Sequence, residues 1–172
     1  SPNSRALLNP LYIAVSQCED AKNNKVLTKL LADKPQPNSS YIDYTSVSEF
    51  KYQVFSCLYQ HFCEFASPDR KEQFAIFCDT HKRSLSTMLV GDRDYASYLQ
   101  WQAHSQLNIC QQAARDSGMA IGLINDLAVG CAGDGSEFKS QNELFAEGAH
   151  VGAPPDPWAE HGQNWGLPAL NP

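Results

Sequence analysis

The feature that most restricts how this chain can fold is the point at which helical periodicity stops. Between about residue 20 and Gly118, apolar side chains recur every three or four residues. Beyond Met119 that spacing disappears, and glycine and proline punctuate the chain to its end. A helical body explains the first part. The second part needs another organising principle, because long stretches without periodicity in compact domains are usually functional.

Four helices are predicted. Asp20 to Ala32 carries Val26, Leu27, Leu30 and Leu31 on one stripe, and the prolines of Lys34 to Ser40 forbid its continuation. Ser46-Val47-Ser48-Glu49 has the Ser-x-x-Glu form of a capping box. Behind it Phe50, Val54, Cys57, Leu58, His61, Phe62 and Phe65 recur at helical spacing. Ser67-Pro68 supplies an N-cap and a proline at the first helical position, and Phe74 to Met88 continues that third helix. The fourth runs from about Asp92 to Ser117, with Gly118 as its C-cap. Aromatic stripes at such spacing mark core, and His61 and His81, lying on them, are expected to be satisfied core histidines rather than ligands.

Two short apolar runs read as strands: Leu11 to Val15, and Met119 to Ile124 directly after the fourth helix. Asp126 follows the second run by two residues, where an acid at a strand end would project into a site.

Composition narrows the function classes. With 13 Lys plus Arg against 19 Asp plus Glu, the net charge is −6, and no basic cluster exceeds His81-Lys82-Arg83. Nucleic acid is therefore not an expected partner. No apolar run approaches the ~20 residues of a membrane helix, and no basic start followed by an apolar stretch marks a signal peptide. The six cysteines form no C-x-x-C pair and the five histidines no H-x-x-x-H pair, so neither a metal nor another cofactor is expected. Reduced structural thiols in a cytoplasmic protein follow.

The irregular tract carries the chemistry. Val151-Gly152-Ala153-Pro154-Pro155-Asp156 is followed after a short interval by Gly162-Gln163-Asn164-Trp165-Gly166-Leu167-Pro168. Asp156 offers a carboxylate acceptor, Gln163 and Asn164 offer amides suited to hydroxyls, and Trp158 and Trp165 offer flat apolar faces for sugar rings. This is a carbohydrate-binding palette; the plainer alternative is that both indoles pack the loop down.

These two runs, with Gly118 to Leu123 and Asp126-Leu127-Ala128-Val129-Gly130, resemble the 4-α-glucanotransferases, the amylomaltases of glycoside hydrolase family 77, in their bacterial maltose-system branch. Tyr98-Leu99-Gln100-Trp101-Gln102, Ser4-Arg5 with Leu8 to Ile13, and Ile42-Asp43-Tyr44 are also similar to that family, so the resemblance spans nearly the whole chain. Departures are Ile124-Asn125 before Asp126, Phe138 in place of a tryptophan, and His150 in place of a serine.

The resemblance implies an α/β fold: part of a (β/α)₈ TIM barrel with a mainly α-helical insertion between strands 2 and 3, the chain itself being mostly helical. It divides the sequence into 1–19, a loop and barrel-strand segment; 20–118, the helical insertion and the helix leading to strand 3; and 119–172, strand 3 and a long substrate-side lid loop. It implies transfer of α-1,4-glucan segments between maltooligosaccharides by retaining double displacement. Asp126, Asp156, Trp158, Gln163, Asn164 and Trp165 would be substrate-binding residues. No catalytic residue is assigned, because the family's nucleophile sits in an Arg-x-Asp triplet and no such triplet occurs in this sequence. The nucleophile Asp and the acid/base Glu are expected beyond Pro172, in a longer enzyme of which this chain would be an inactive piece. The alternatives are a non-catalytic α-glucan-binding module and a structural helical domain.

Overall fold

A computed structural model describes residues 7–34, 41–88, 91–126, 128 and 130–171. Ser4-Arg5, Leu127, Val129, most of the proline connector and Pro172 lie outside the described residues. The helices are α1 (Lys25–Ala32), α2 (Tyr44–Phe65), α3 (Pro68–Thr80), α4 (Lys82–Leu85), α5 (Arg93–Asp116) and α6 (Ser136–Ser140), followed by strands β1 (Phe145–Ala153) and β2 (Gln163–Leu170). The chain is mostly helical with one small two-stranded sheet, and it divides into two compact units.

The helical unit spans residues 8–82 and 90–123. Its core joins Val54, Phe55, Leu58 and Phe62 of α2 to Tyr98 and Leu99 of α5, with Leu27 of α1 and Ile13 and Cys18 from the preceding segment. Phe62, Phe74, Tyr98 and Trp101 stack with centroids 5.2–6.5 Å apart in tilted and edge geometries, the arrangement that aromatic quadrupoles favour. The helical stripes of the sequence thus supply its core, except that Val26 and Phe65, each 69% exposed, and Leu31 lie outside it.

Helix ends follow side-chain chemistry. Ser67 caps α3 with Pro68 at the first position and Gly118 takes φ +89 past the end of α5, as the sequence suggests, and Asp92, where the fourth helix is expected to start, caps α5. The start of α2 differs. Asp43, not Ser46, is the N-cap, accepting from the Ser46 amide at 3.1 Å and its hydroxyl at 2.6 Å. Likewise α1 begins only at Lys25, because Asn24 caps it through the Leu27 amide at 2.9 Å. Helix α3 stops at Thr80 rather than running to Met88. His81 leaves helical geometry there, its ring 4.4 Å from Phe77 and 4.8 Å from His104, and no glycine or proline marks the break.

Neither expected strand forms among the described residues. Around Leu11 to Val15 the chain makes short 3-10 turns, Pro10–Tyr12 and Val15–Gln17. The cause is visible in the hydrogen bonds. Gln106 of α5 accepts from the Ala14 amide at 2.8 Å and donates back to its carbonyl at 3.0 Å, while Lys51 reaches the carbonyls of Leu11 and Ile13. Gln100 grips Leu8 in the same bidentate way at 2.8 and 2.7 Å. Residues Met119 to Ile124 are irregular too, with Ile121 70% exposed and the backbone engaged by Gln111. Side-chain amides stand where a strand neighbour would, which removes the pairing that a strand requires.

The second unit, whose described residues are Leu7 and others within 83–88 and 124–171, contains the β1–β2 hairpin. The tract after Asp134 is therefore not structureless. Its antiparallel pairing matches His150 with Pro168, Val151 with Leu167, and Gly152 with Asn164, with irregularities between Phe145 and His150 and between Val151 and Gly152. Near its base Phe138 stacks on the buried Phe145 at 5.1 Å, and the Asn171 amide donates to the Leu144 carbonyl at 2.8 Å.

Candidate functional site

The hairpin closes through two glycines. A Cβ on Gly152 would lie 2.0 Å from the Gln163 carbonyl oxygen, and one on Gly162, at φ +73, would lie 2.6 Å from that of Ala153. Only glycine lets the two backbones approach so closely. Between them Asp156 organises the turn. Its Oδ1 accepts from the amides of Trp158 at 2.8 Å and Ala159 at 2.7 Å, and its backbone exchanges hydrogen bonds with Ala159. An aspartate bonded to amides two and three residues on is a self-contained turn device.

That turn leaves Trp158 92% exposed at the hairpin tip. On β2 the Trp165 indole N–H donates to Gln163 Oε1 at 3.0 Å, which fixes both side chains on one face. Asn164 Oδ1 accepts from the Gly166 amide at 2.9 Å. In both amides the oxygen is engaged locally and the NH₂ group remains as a donor for hydroxyl acceptors. The surface thus combines indole faces with oriented donors, which suits a neutral polyhydroxylated ligand.

Asp126 is exposed in the same unit, and no hydrogen bond or ion pair among the described residues joins it to the hairpin. The structure brings together Asp156, Trp158, Gln163, Asn164 and Trp165 within one hairpin, but not Asp126 with them. No group of three or more His, Cys, Asp or Glu that could hold a metal occurs among the described residues, and no described helix is long and apolar enough to cross a membrane. All six cysteines are free thiols.

The helical unit holds an open groove of about 600 Å³ lined by Ile13, Val15, Leu27, Leu31 and the side chains of Lys22 and Lys51, none of which is a candidate glucan contact. A volume alone is a weak guide beside the hairpin's chemistry.

Sequence reasoning missed the charged centre of the helical unit. Asp20, 1% exposed, accepts from Arg70 Nη1 and Nη2 at 2.6 and 2.9 Å and from the Tyr98 hydroxyl at 2.8 Å. Arg70 also lies over the rings of Phe62 and Trp101, at 5.5 and 5.4 Å. The bond to Asp20 holds the Arg70 guanidinium above its ordinary range, and burial followed by the Asp20 charge pushes the Tyr98 phenol up. His61 is not the satisfied core histidine expected. Its Nδ1 is buried without a hydrogen-bond partner, 3.9 Å from Asp20 Oδ1. This network is structural in shape: Asp20 and Tyr98, at its centre, are fully buried.

Comparison with known proteins places this chain within one family of proteins. The glycoside hydrolase family 77 model, described as 4-alpha-glucanotransferase, matches residues 1–90 and 88–172. The chain belongs to the 4-alpha-glucanotransferase family. It is similar to the 4-alpha-glucanotransferase of Haemophilus influenzae, 40% identical over 78 residues that make 45% of this chain and 11% of that protein. That of Chlamydia caviae is 24% identical over 98% of this chain and 38% of its own length. The crystal structure of amylomaltase from Corynebacterium glutamicum superposes with a TM-score of 0.79 at 26% identity, over 98% of this chain and 27% of that one. The chain therefore spans well under half the length of these relatives.

Proposed function

We propose that this chain is the substrate-side portion of a 4-alpha-glucanotransferase that moves α-1,4-glucan segments between maltooligosaccharides. In this reading residues 1–19 and 119–172 are parts of a (β/α)₈ barrel, with 119–172 carrying strand 3 and the glucan-facing loop. Residues 20–118 are the helical insertion after strand 2 and the helix leading to strand 3. The segments around Leu11 and Ile121 would then gain strand neighbours from the rest of the enzyme.

Retaining transfer needs a nucleophilic carboxylate and a second carboxyl that acts first as acid and then as base, ~5–5.5 Å apart. The resemblance puts the nucleophile in an Arg-x-Asp triplet, which this chain lacks, and the acid/base Glu further along the enzyme. This chain's own residues bind and orient. Trp158 and Trp165 offer C–H-compatible faces to glucose rings, and the NH₂ groups of Gln163 and Asn164 donate to hydroxyls. Asp156 shapes the turn with one oxygen and presents the other to the ligand. Asp126 supports the reacting end. A loop closed over bound glucan would exclude water and favour transfer over hydrolysis. The free thiols accord with a reducing, cytoplasmic setting.

The observation that carries the reading is the hairpin, which carries an indole 92% exposed in its turn and the Trp165–Gln163 pair on β2, in a chain of this family. In the complete protein, Trp158→Ala and Trp165→Ala should raise KM for maltotriose at least several-fold. Asp156→Asn, which keeps the turn's acceptor, should behave better than Asp156→Ala. Wild-type kinetics in both tryptophan variants would defeat the assignment. Tight maltooligosaccharide binding without any transfer by the complete protein would favour the binding-module alternative.

A further inference from the structure

The register of the hairpin slips beside a candidate glucan contact. Val151 pairs with Leu167, so regular antiparallel pairing would set Gly152 against Gly166. Gly152 pairs instead with Asn164, and Ala153 with Gln163. Trp165 and Gly166 are therefore extra residues on β2, a bulge between two consecutive residues of β1.

Local contacts hold that bulge in one shape. Gly166 adopts φ +67, and a Cβ there would point into open space, so backbone conformation rather than room calls for glycine. Asn164 Oδ1 accepts from the Gly166 amide at 2.9 Å, bracing the chain across Trp165. Gln163 Oε1 accepts from the Trp165 indole N–H at 3.0 Å. The strand is also fixed on either side. Before the bulge the backbones of Gly152 and Gln163 are in close approach, and after it the Leu167 side chain lies 3.1 Å from where a Cβ on Gly130 would be. A bulge re-aims the side chain it carries, and this one carries Trp165, 46% exposed.

We infer that Gly166 and Asn164 are positioning residues that present the Trp165 indole to ligand, Gly166 through its left-handed backbone and Asn164 through its side-chain oxygen. The inference rests on the glucanotransferase reading for what the indole meets.

The chemistry of the bulge sets its test. An L residue with a Cβ resists the left-handed region, so in Gly166→Ala the bulge relaxes and affinity falls with the fraction that still presents the indole. In the complete protein, Gly166→Ala should raise KM for maltotriose about fivefold to tenfold with kcat little changed. Gly166→Asn, whose side chain tolerates that region, should recover most of the loss. In a Trp165→Ala background, Gly166→Ala should cost nothing further, because both changes remove the same contact. Fluorine NMR of protein grown with 5-fluorotryptophan gives a readout apart from activity. The Trp165 resonance, identified by its loss in Trp165→Phe, should shift in Gly166→Ala and in Asn164→Ala. It should hold in Asn164→Asp, which keeps an acceptor for the Gly166 amide, and the Trp158 and Trp101 resonances should hold throughout.

An unmoved Trp165 resonance in Gly166→Ala and Asn164→Ala, or KM losses that multiply in the double variant, overturns the positioning role. If Gly166→Ala displaces Trp158 as well, the hairpin itself has opened, and Asn164→Ala against Asn164→Asp then carries the test. Trp165→Ala separates the two levels. If it raises KM while Gly166→Ala and Asn164→Ala behave as wild type, the positioning role fails and the glucan reading of Trp165 stands. If Trp165→Ala is silent, the glucan role of Trp165 fails, and the positioning inference with it.

Discussion

Replacing Asp20 by alanine removes the buried carboxylate at the centre of the helical unit and leaves two donors behind. Asp20 is 1% exposed, and the Arg70 side chain that pairs with it is 14% exposed. The guanidinium would keep only Glu19, at 3.5 Å and 62% exposed, a partner whose worth is small in solvent. Tyr98, 0% exposed, would lose the acceptor of its hydroxyl. Removing one member of a buried pair typically costs about 3–5 kcal/mol, because the remaining charge has no compensation. A protein of this size moves about 2–4 °C in Tm per kcal/mol, so a fall of about 6–20 °C is expected. Circular dichroism melts and urea titrations of the protein with Asp20→Ala measure it. A second variant separates pairing from packing. Removing both partners, Asp20→Ala with Arg70→Met, should be more stable than Asp20→Ala alone, since no unpaired charge remains. A loss below about 1 kcal/mol, or a double variant no better than the single, would refute the argument that an orphaned Arg70 dominates the cost.

Other consequences follow from particular contacts. Burial first, then the Asp20 charge, pushes the Cys18 thiol up from 9.0 to about 11. The fold thus favours the neutral thiol: its contribution is full below pH 9 and is lost as pH rises through 11, so urea midpoints should drop over that window, and less steeply in Cys18→Ala. Equal slopes for the two proteins would contradict this. Gly152→Ala places a Cβ against the Gln163 carbonyl at 2.0 Å, a clash with backbone that costs about 1–3 kcal/mol and should strip amide protection from Val151 and Leu167; wild-type exchange there would refute it. Gln100→Ala deletes both bonds to Leu8 and should lower stability by about 1–3 kcal/mol in urea titrations, with no change at all as the contrary result.

The helices were legible because their information is local. Phe62, Tyr98 and Leu99 bury on the stripe that their spacing announces, and Ser67-Pro68 and Gly118 are terminators by their own chemistry. The hairpin was hidden because its pairing depends on absent side chains at Gly152 and Gly162 and on an aspartate bonding to its own turn, none of which alternates with period two. The strands expected at Leu11 and Met119 failed for a related reason. Apolar β-branched runs need a neighbour's main chain, and here glutamine amides from distant positions of α5 meet them instead. The Asp20 centre was invisible because Arg70 and Tyr98 reach it across 50 and 78 residues of sequence. Of the candidate site, the residue types and their grouping between Asp156 and Trp165 could be read, whereas the local partners of the two amide oxygens could not.

The glutamine grips carry a consequence for which changes this chain tolerates. Gln100, Gln106 and Gln111 bind the peptide groups of Leu8, Ala14, and Ile121 with Leu123, not their side chains. Such contacts are blind to residue identity, so positions 8, 14, 121 and 123 can drift through most amino acids without weakening them. Proline is the exception at 8, 14 and 123, because it alone lacks the N–H that each amide oxygen accepts. Related chains could therefore diverge widely along these segments while the three glutamines keep their work, and a proline at any of those three sites would announce that the grip had been given up.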